Sequence, residues 1–409
     1  MARTLAGPRL FNRLETGRTP MTDSNSHPDR VAQRLQPFGE TVFSEINRLA
    51  AQAGAVNLSQ GCPDFDAPDF IKEAARAAIN EGHNQYPPMG GAPALTQAIA
   101  EDFQAASGIE IDPATEVTVT CGCTEAIAAT LIGLLDPGDE VIVMDPVYDS
   151  YRPCLAMANA VPKAVTLHPP DFHLDAQAID AACTDRTRAV MLNTPHNPTG
   201  RVFTLEEMEA LAEVCRRRNL IVLADEVYHR MVYEGIHRSM ASLPGMFERT
   251  ITMNSLGKTF SVTGWKIGWT IAPPHLTAGI RSAHQFMTFD IAHPFQHAGA
   301  VALRNREDYY QELHDLYLHR RNMLCEGLAD AGFKVYRPQG TYFVLCDHTH
   351  LGQPDDVAAA KWLIEHAGVA AIPPSSFYAN RSDGASLLRF GFCKNIETIE
   401  AALDRLRRL

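Results

Sequence analysis

Lys258 lies in Asn254-Ser-Leu-Gly-Lys-Thr-Phe-Ser-Val-Thr-Gly-Trp-Lys-Ile-Gly-Trp269, where small and hydroxyl residues surround it and a second cation, Lys266, follows within the same segment. Lysine is a nucleophile only as the free amine, and its ordinary pKa of about 10.4 keeps it protonated at neutral pH. Chemistry at Lys258 therefore requires that it be discharged, which condensation with an aldehyde cofactor achieves. Pyridoxal 5'-phosphate is such an aldehyde, and its phosphate needs an anion site that Ser255 and Lys266 can furnish. Its ring nitrogen needs an anion. Leu220-Ile-Val-Leu-Ala-Asp-Glu-Val-Tyr228 offers Asp225 at the end of an apolar run, where open α/β sheets place their ligands, with Tyr228 close behind to donate to the ring's phenolic oxygen.

Further segments supply the rest of a site. Glu116-Val-Thr-Val-Thr-Cys-Gly-Cys-Thr-Glu-Ala-Ile-Ala-Ala-Thr-Leu131 passes from an alternating β-branched strand through Gly122 into an alanine-rich helix. The free N–H groups at such a helix start suit a phosphate, and Thr124 adds a hydroxyl. Asp145-Pro-Val-Tyr-Asp-Ser-Tyr151 is expected to open a helix with Pro146 near its first turn. Tyr148 there suits stacking on a cofactor ring, and packing on the sheet reads equally well. In Val190-Met-Leu-Asn-Thr-Pro-His-Asn-Pro-Thr-Gly200 a strand runs into prolines, and a cis bond is expected at Asn197–Pro198 or Thr194–Pro195. Arg389, in Leu387-Leu-Arg-Phe-Gly-Phe392, is a planar fork matched to a carboxylate and costly among apolar neighbours unless paired.

These motifs resemble those of the class I/II aminotransferases of fold type I, from about Asn57 to the C-terminus. The pattern Ser-x-x-Lys-Thr/Ser-Phe with Gly-Trp-Arg/Lys-x-Gly is complete here. The resemblance implies an α/β fold in which a large domain with a mostly parallel central sheet, flanked by helices, carries a smaller α+β domain. It implies that Lys258 tethers the cofactor and later shuttles the substrate proton, with Asp225 and Tyr228 also catalytic. Gly122, Cys123 and Thr124 would hold the phosphate, Cys123 by its backbone alone. Tyr148 would stack on the ring, and Asn197 would bond its oxygen opposite Tyr228. Arg389, Asn197 and Gly61 would meet the substrate, and Tyr86 would reach the neighbouring subunit's phosphate, so that a homodimer shares its active sites. Lys266 stands where many members have arginine, which loosens the phosphate grip. Cys62 replaces the larger apolar residue common in relatives.

The kynurenine, glutamine and methionine aminotransferases are the most similar group. The implied reaction moves an amino group from an L-amino acid with an apolar, aromatic or amide side chain to a 2-oxo acid, both small-molecule partners. No arginine in Gln285-Phe-Met-Thr-Phe-Asp-Ile-Ala-His293 stands ready for a second carboxylate, although Arg281 is near, and Phe286, Phe289 and Phe377 are candidate pocket walls. β-Elimination on cysteine conjugates or cystathionine, and aspartate transamination, remain rivals. A regulator built on an aminotransferase-like domain would need a DNA-binding module, for which the N-terminal residues leave no room.

The elements that must position these residues follow the alternation of an α/β chain. Strands are expected at 161–167, 189–193, 220–225, 250–254 and 266–272, with helices at 205–218 and from 274. A long helical stretch over about 294–331 would lead to small-domain strands at 333–336, 341–346, 369–372 and 387–392 and helices at 355–366 and 396–409. Division is expected into a disordered extension 1–35, a segment 36–60 packing on the small domain, a large domain 61–310 and a small domain 311–409. At 409 residues the chain exceeds a single core. The net charge of -12 disfavours nucleic acid and anionic membranes, with Arg216-Arg-Arg218 as a solvated helix face. No apolar run suits a membrane span, and the nine cysteines lack CxxC pairs, as in a reducing, cytoplasmic compartment. The arginine-bearing first thirty residues weakly resemble a mitochondrial presequence; disorder is the preferred reading. No metal site is expected at His293 and His297, and His348 and His350 are expected in solvent.

Overall fold

The computed structural model describes residues 31–305 and 307–409; the extension expected over 1–35 lies mostly outside them. In chain order the elements begin with α1 (Val42–Ala53), β1 (Val56–Asn57), α2 (Asp69–Asn80), α3 (Pro93–Ser107), β2 (Val117–Cys121), α4 (Gly122–Leu134) and β3 (Glu140–Asp145). There follow α5 (Tyr151–Met157), β4 (Val161–Thr166), α6 (Ala176–Ala182), β5 (Thr187–Asn193), α7 (Leu205–Arg218), β6 (Ile221–Asp225), β7 (Thr250–Ser255), α8 (Leu256–Thr259) and β8 (Ile267–Ile271). The chain ends with α9 (Pro274–Met287), α10 (His293–Arg304), α11 (Glu307–Asp330), β9 (Lys334–Tyr336), β10 (Phe343–Asp347), α12 (Asp356–His366), β11 (Val369–Ala370), β12 (Leu387–Gly391) and α13 (Ile396–Leu406).

Seven strands form one sheet in the order β2-β8-β7-β6-β5-β3-β4. β8 alone runs against its neighbours, and the other pairings are parallel. The central strands are apolar runs without alternation because helices cover both faces, and β3 is buried throughout. β10 pairs antiparallel with β9 and β12 in a second sheet. β1 pairs with β11, and α1 packs on α12. A single apolar cluster runs from Ile142, Val190 and Val222 of the large sheet to Tyr342 and Phe390 of the small one.

The helical stretch expected over 294–331 is present as two helices, α10 and α11. α10 stops at Arg304, and Asn305 leaves helical geometry while its amide donates to the Val301 carbonyl at 2.8 Å. A short amide that satisfies the last carbonyls competes with continuing the helix. α5 starts only at Tyr151, so Tyr148 sits in the preceding turn, where the Val147 N–H donates to the Phe377 carbonyl at 2.8 Å. Both Thr194–Pro195 and Asn197–Pro198 are cis. α7 spans 205–218 as expected: Thr204 caps it in a reciprocal box with Glu207, and Arg217 and Arg218 on its exposed end pair with Asp180. His348 departs from the solvated expectation; it is buried, with Nε2 donating to the Ala385 carbonyl at 3.0 Å.

Candidate active site

The site forms where the carboxyl ends of β2, β5, β6 and β7 meet. In the sheet register Asn193 of β5 lies opposite Asp225 of β6, which lies opposite Met253 of β7. β7 ends at Ser255 and passes directly into α8, whose single turn lifts Lys258 over the strand ends. β8 runs the other way, so its first residue, Ile267, is opposite Cys121 at the end of β2, and this brings Lys266 to the same edge. The resulting cleft, about 670 Å³ counting the solvent at its mouth, is of ligand size and is lined by Gly122, Cys123, Thr124, Tyr148, Asn193, Asn197, Asp225, Tyr228, Ser255, Lys258 and Lys266, among others.

Its charges are poorly matched from within. Asp225 accepts from the Tyr151 hydroxyl at 2.6 Å, the Val227 N–H at 3.3 Å and the Cys123 thiol at 3.7 Å, but has no ion-pair partner among the described residues. Burial, the dominant cause, pushes its carboxyl above the usual range against those bonds. Burial equally pushes the Lys258 ammonium down, toward the free amine, while its Nζ lies 5.6 Å from the Tyr342 ring centre and 5.7 Å from that of Tyr228. Arg389 is 1 % exposed and donates to the Asn197 side-chain oxygen at 3.2 Å and the Ser59 carbonyl at 3.0 Å. Its Nε has no partner, the Phe343 ring lies 4.0 Å from its guanidinium carbon, and burial lowers its pKa to about 10. A buried cation bonded to neutral oxygens alone is a receptor for an anion.

Pyridoxal 5'-phosphate fits these residues. At the phosphate end Gly122 has φ +68°, and a Cβ placed there would lie 3.0 Å from the Lys266 amine. A Cβ on Gly268 would collide with the backbone of Gly122 and Cys123 at 2.5 and 2.6 Å. The start of α4 and the Lys266 cation thus converge on a cradle kept open by absent side chains. At the ring end Asp225 is an acid in want of a cation, and Tyr228 and Tyr148 flank the cleft.

This geometry matches known proteins across most of the chain. The family model "Aminotransferase class I and II" covers residues 53–406. The chain belongs to the class I and II aminotransferases. It is 45% identical over 387 residues to the probable N-succinyldiaminopimelate aminotransferase of Mycobacterium tuberculosis, covering 92% of this chain and 98% of the relative. The structure of that protein superposes with a TM-score of 0.90 over 92% of this chain and 99% of its own. The Escherichia coli methionine aminotransferase is 40% identical over 377 residues, covering 92% and 97% of the chains. An aspartate aminotransferase from Thermus thermophilus superposes with a TM-score of 0.86 at 34% identity, covering 92% and 99%. The chain is thus a transferase enzyme of a family known to use pyridoxal phosphate.

Not every residue expected in this aminotransferase's site is brought together. Tyr86 is 79% exposed, edge-on to Phe289, and outside the cleft of its own chain. Gly61 accepts from the Tyr342 hydroxyl at 2.8 Å and lies under Phe343, whose Cζ would be 2.4 Å from a Cβ at that position. Neither Phe286 nor Phe289 lines the cleft; both are exposed, whereas Phe377 is buried near Arg389. Arg281 is occupied with the Thr118 hydroxyl and the Ala114 and Val117 carbonyls. The Cys123 thiol, to which the resemblance assigns no part, reaches Asp225 at 3.7 Å. The sequence reading missed Tyr151 and Asn193, whose amide donates to the Asp225 carbonyl at 2.9 Å. The only sequence signal for Tyr151 is its place one turn beyond Tyr148.

Proposed function

We propose that this aminotransferase moves the amino group of an L-amino acid with an apolar, aromatic or amide side chain, such as methionine, glutamine or kynurenine, to a 2-oxo acid. Pyridoxal phosphate, when bound, supplies an aldehyde for the amino group and a ring that draws electrons from Cα. The chain's residues do the rest. Lys258, its amine freed, removes and returns the Cα proton, and burial already favours that neutral form. Asp225 keeps a proton on the ring nitrogen, and Tyr151 and Cys123 hold the carboxylate in place. Gly122, Cys123, Thr124, Ser255 and Lys266, which line the cleft, would cradle the phosphate, and Asn197 and Tyr228 would hold the ring oxygen. Arg389 takes the substrate carboxylate in its fork and releases the weaker neutral contacts it makes now.

The observation that carries the substrate class is the arginine arrangement. Among the described residues Arg389 is the arginine bonded to a side chain of the cleft, through Asn197, and Arg281 is spent on backbone carbonyls. A dicarboxylate such as aspartate would leave its second charge unmatched in this chain's cleft. The methionine and kynurenine aminotransferases among the relatives support the same class. The relative at 45% identity favours a second reading, an N-succinylated diamino diacid as donor.

The test is the absorbance of the holoenzyme as single L-amino acids are added without any oxo acid. Conversion of the cofactor band by methionine, glutamine or kynurenine, with aspartate inert, is expected. Conversion by N-succinyl-diaminopimelate alone would replace the donor class with the second reading, and conversion by aspartate alone would refute both. Pyruvate and ammonia released from cystathionine, with the original band restored, would make the enzyme a lyase.

A further inference from the structure

His293 and His297 lie one turn apart at the start of α10, on the same helix face. The fold adds a third imidazole. His83, in the loop that follows α2, stacks on His297 with ring centres 3.6 Å apart and stands edge-on to His293 at 5.3 Å. One ligand atom from each of the three falls within 4.8 Å of the others.

The hydrogen bonds set the protonation that a metal needs. His293 Nδ1 is 2.8 Å from the Gln85 carbonyl, which can only accept, so Nδ1 carries the proton and Nε2 keeps its lone pair. That second bond is the usual orienting contact of a metal-ligating histidine. The lone pair of His293 Nε2 faces His297 Nε2 at 3.2 Å. Zinc–nitrogen bonds of about 2.0–2.1 Å in tetrahedral geometry place two ligand nitrogens roughly 3.3 Å apart, so this spacing already suits a shared ion. His83 must turn about its soft χ2 to leave the stack and aim at the same point. Glu81, with Oε2 3.7 Å from His83 Nε2, is within reach as a fourth ligand, and water is the alternative.

We propose that His83, His293 and His297 form a binding site for a zinc-type divalent transition-metal ion, outside the Lys258 cleft. Imidazole donors with one oxygen suit zinc and exclude the oxygen-seeking magnesium and calcium. The ion would clip the loop bearing Tyr86 to the start of α10, a connection now made by the His293–Gln85 bond.

The experiment is titration of chelator-treated holoenzyme with Zn²⁺, followed by calorimetry and metal analysis, on the wild type and on His83→Ala, His297→Gln and Cys62→Ser. One ion per chain is expected, with a rise in Tm on adding Zn²⁺. His83→Ala and His297→Gln should each weaken binding by more than about 100-fold, the upper range for losing even an orienting partner. Cys62→Ser, which removes the exposed thiol, should bind as the wild type does. Co²⁺ in place of Zn²⁺ should give the intense visible absorption of a tetrahedral site, lost in both histidine variants. Absence of Zn²⁺ binding, binding unchanged in both histidine variants, or binding lost with Cys62→Ser would each overturn the proposal.

Discussion

Two buried carboxylates occupy opposite edges of the same sheet. Glu140 opens β3 at the amino edge, fully buried, and accepts from Thr184 at 2.6 Å, Arg186 at 2.9 Å and Thr187 at 3.3 Å, with Lys163 at 3.6 Å. The Thr184 bond first, and the cations after it, hold its carboxyl below the usual range. Asp225 closes β6 at the carboxyl edge, where burial pushes its carboxyl up and no described residue forms an ion pair with it. One edge spends its polar groups on itself and so contributes stability. The other leaves an acid, an amine and a guanidinium without full partners, a cost that makes sense only if a ligand completes them.

Substitutions can break that contrast, beginning with the largest effect. Lys258→Ala should abolish transamination, and full activity would remove the lysine from the mechanism. Asp225→Ala should lower turnover by about 10²–10⁴-fold while the protein retains some cofactor, without the loss of thermal stability that follows removal of a satisfied buried acid. Unchanged turnover would equate it with Glu140. Arg389→Lys should raise KM for the amino donor by roughly 10–100-fold, as expected for the loss of a charge-assisted bond of about 1.5–3 kcal/mol, with a smaller effect on kcat. An equal fall in kcat at constant KM would show that the arginine does not bind the carboxylate.

Tyr151→Phe sharpens the contrast more finely. Deleting the hydroxyl that positions Asp225 should lower kcat by about tenfold and shift the pH profile, because the carboxyl loses the bond that most opposes its upward shift. A change in Tm with the pH profile fixed would make Tyr151 merely structural. Glu140→Gln is expected to do the reverse: turnover stays and Tm falls by a few degrees at neutral pH. Since the folded pKa of Glu140 lies below the unfolded one, its contribution is present above the ordinary carboxylate range and lost as pH falls through the folded value. The Tm difference between variant and wild type should therefore vanish in acid.

The legible part of the site lay in contiguous segments. A strand end, a tight turn and a helix start place Asp225, Gly122 and Lys258 by local geometry, and each segment carried its own signature. Elements were legible for the same reason where apolar runs and caps agreed, as in α7. Where a single side chain outvoted the pattern the boundary moved, as where the amide of Asn305 ended α10.

By itself the sequence determined which chemistry this chain carries, because a lysine among small residues, an acid at the end of an apolar strand and a glycine before a helix each act through their immediate neighbours. Tertiary structure decided how that chemistry is supported. Tyr151 meets Asp225 from 74 residues away, Asn197 meets Arg389 from 192, and His83 joins two histidines of a helix beyond the central sheet strands. Such meetings depend on strand order and on helices crossing the sheet, and no local propensity encodes them.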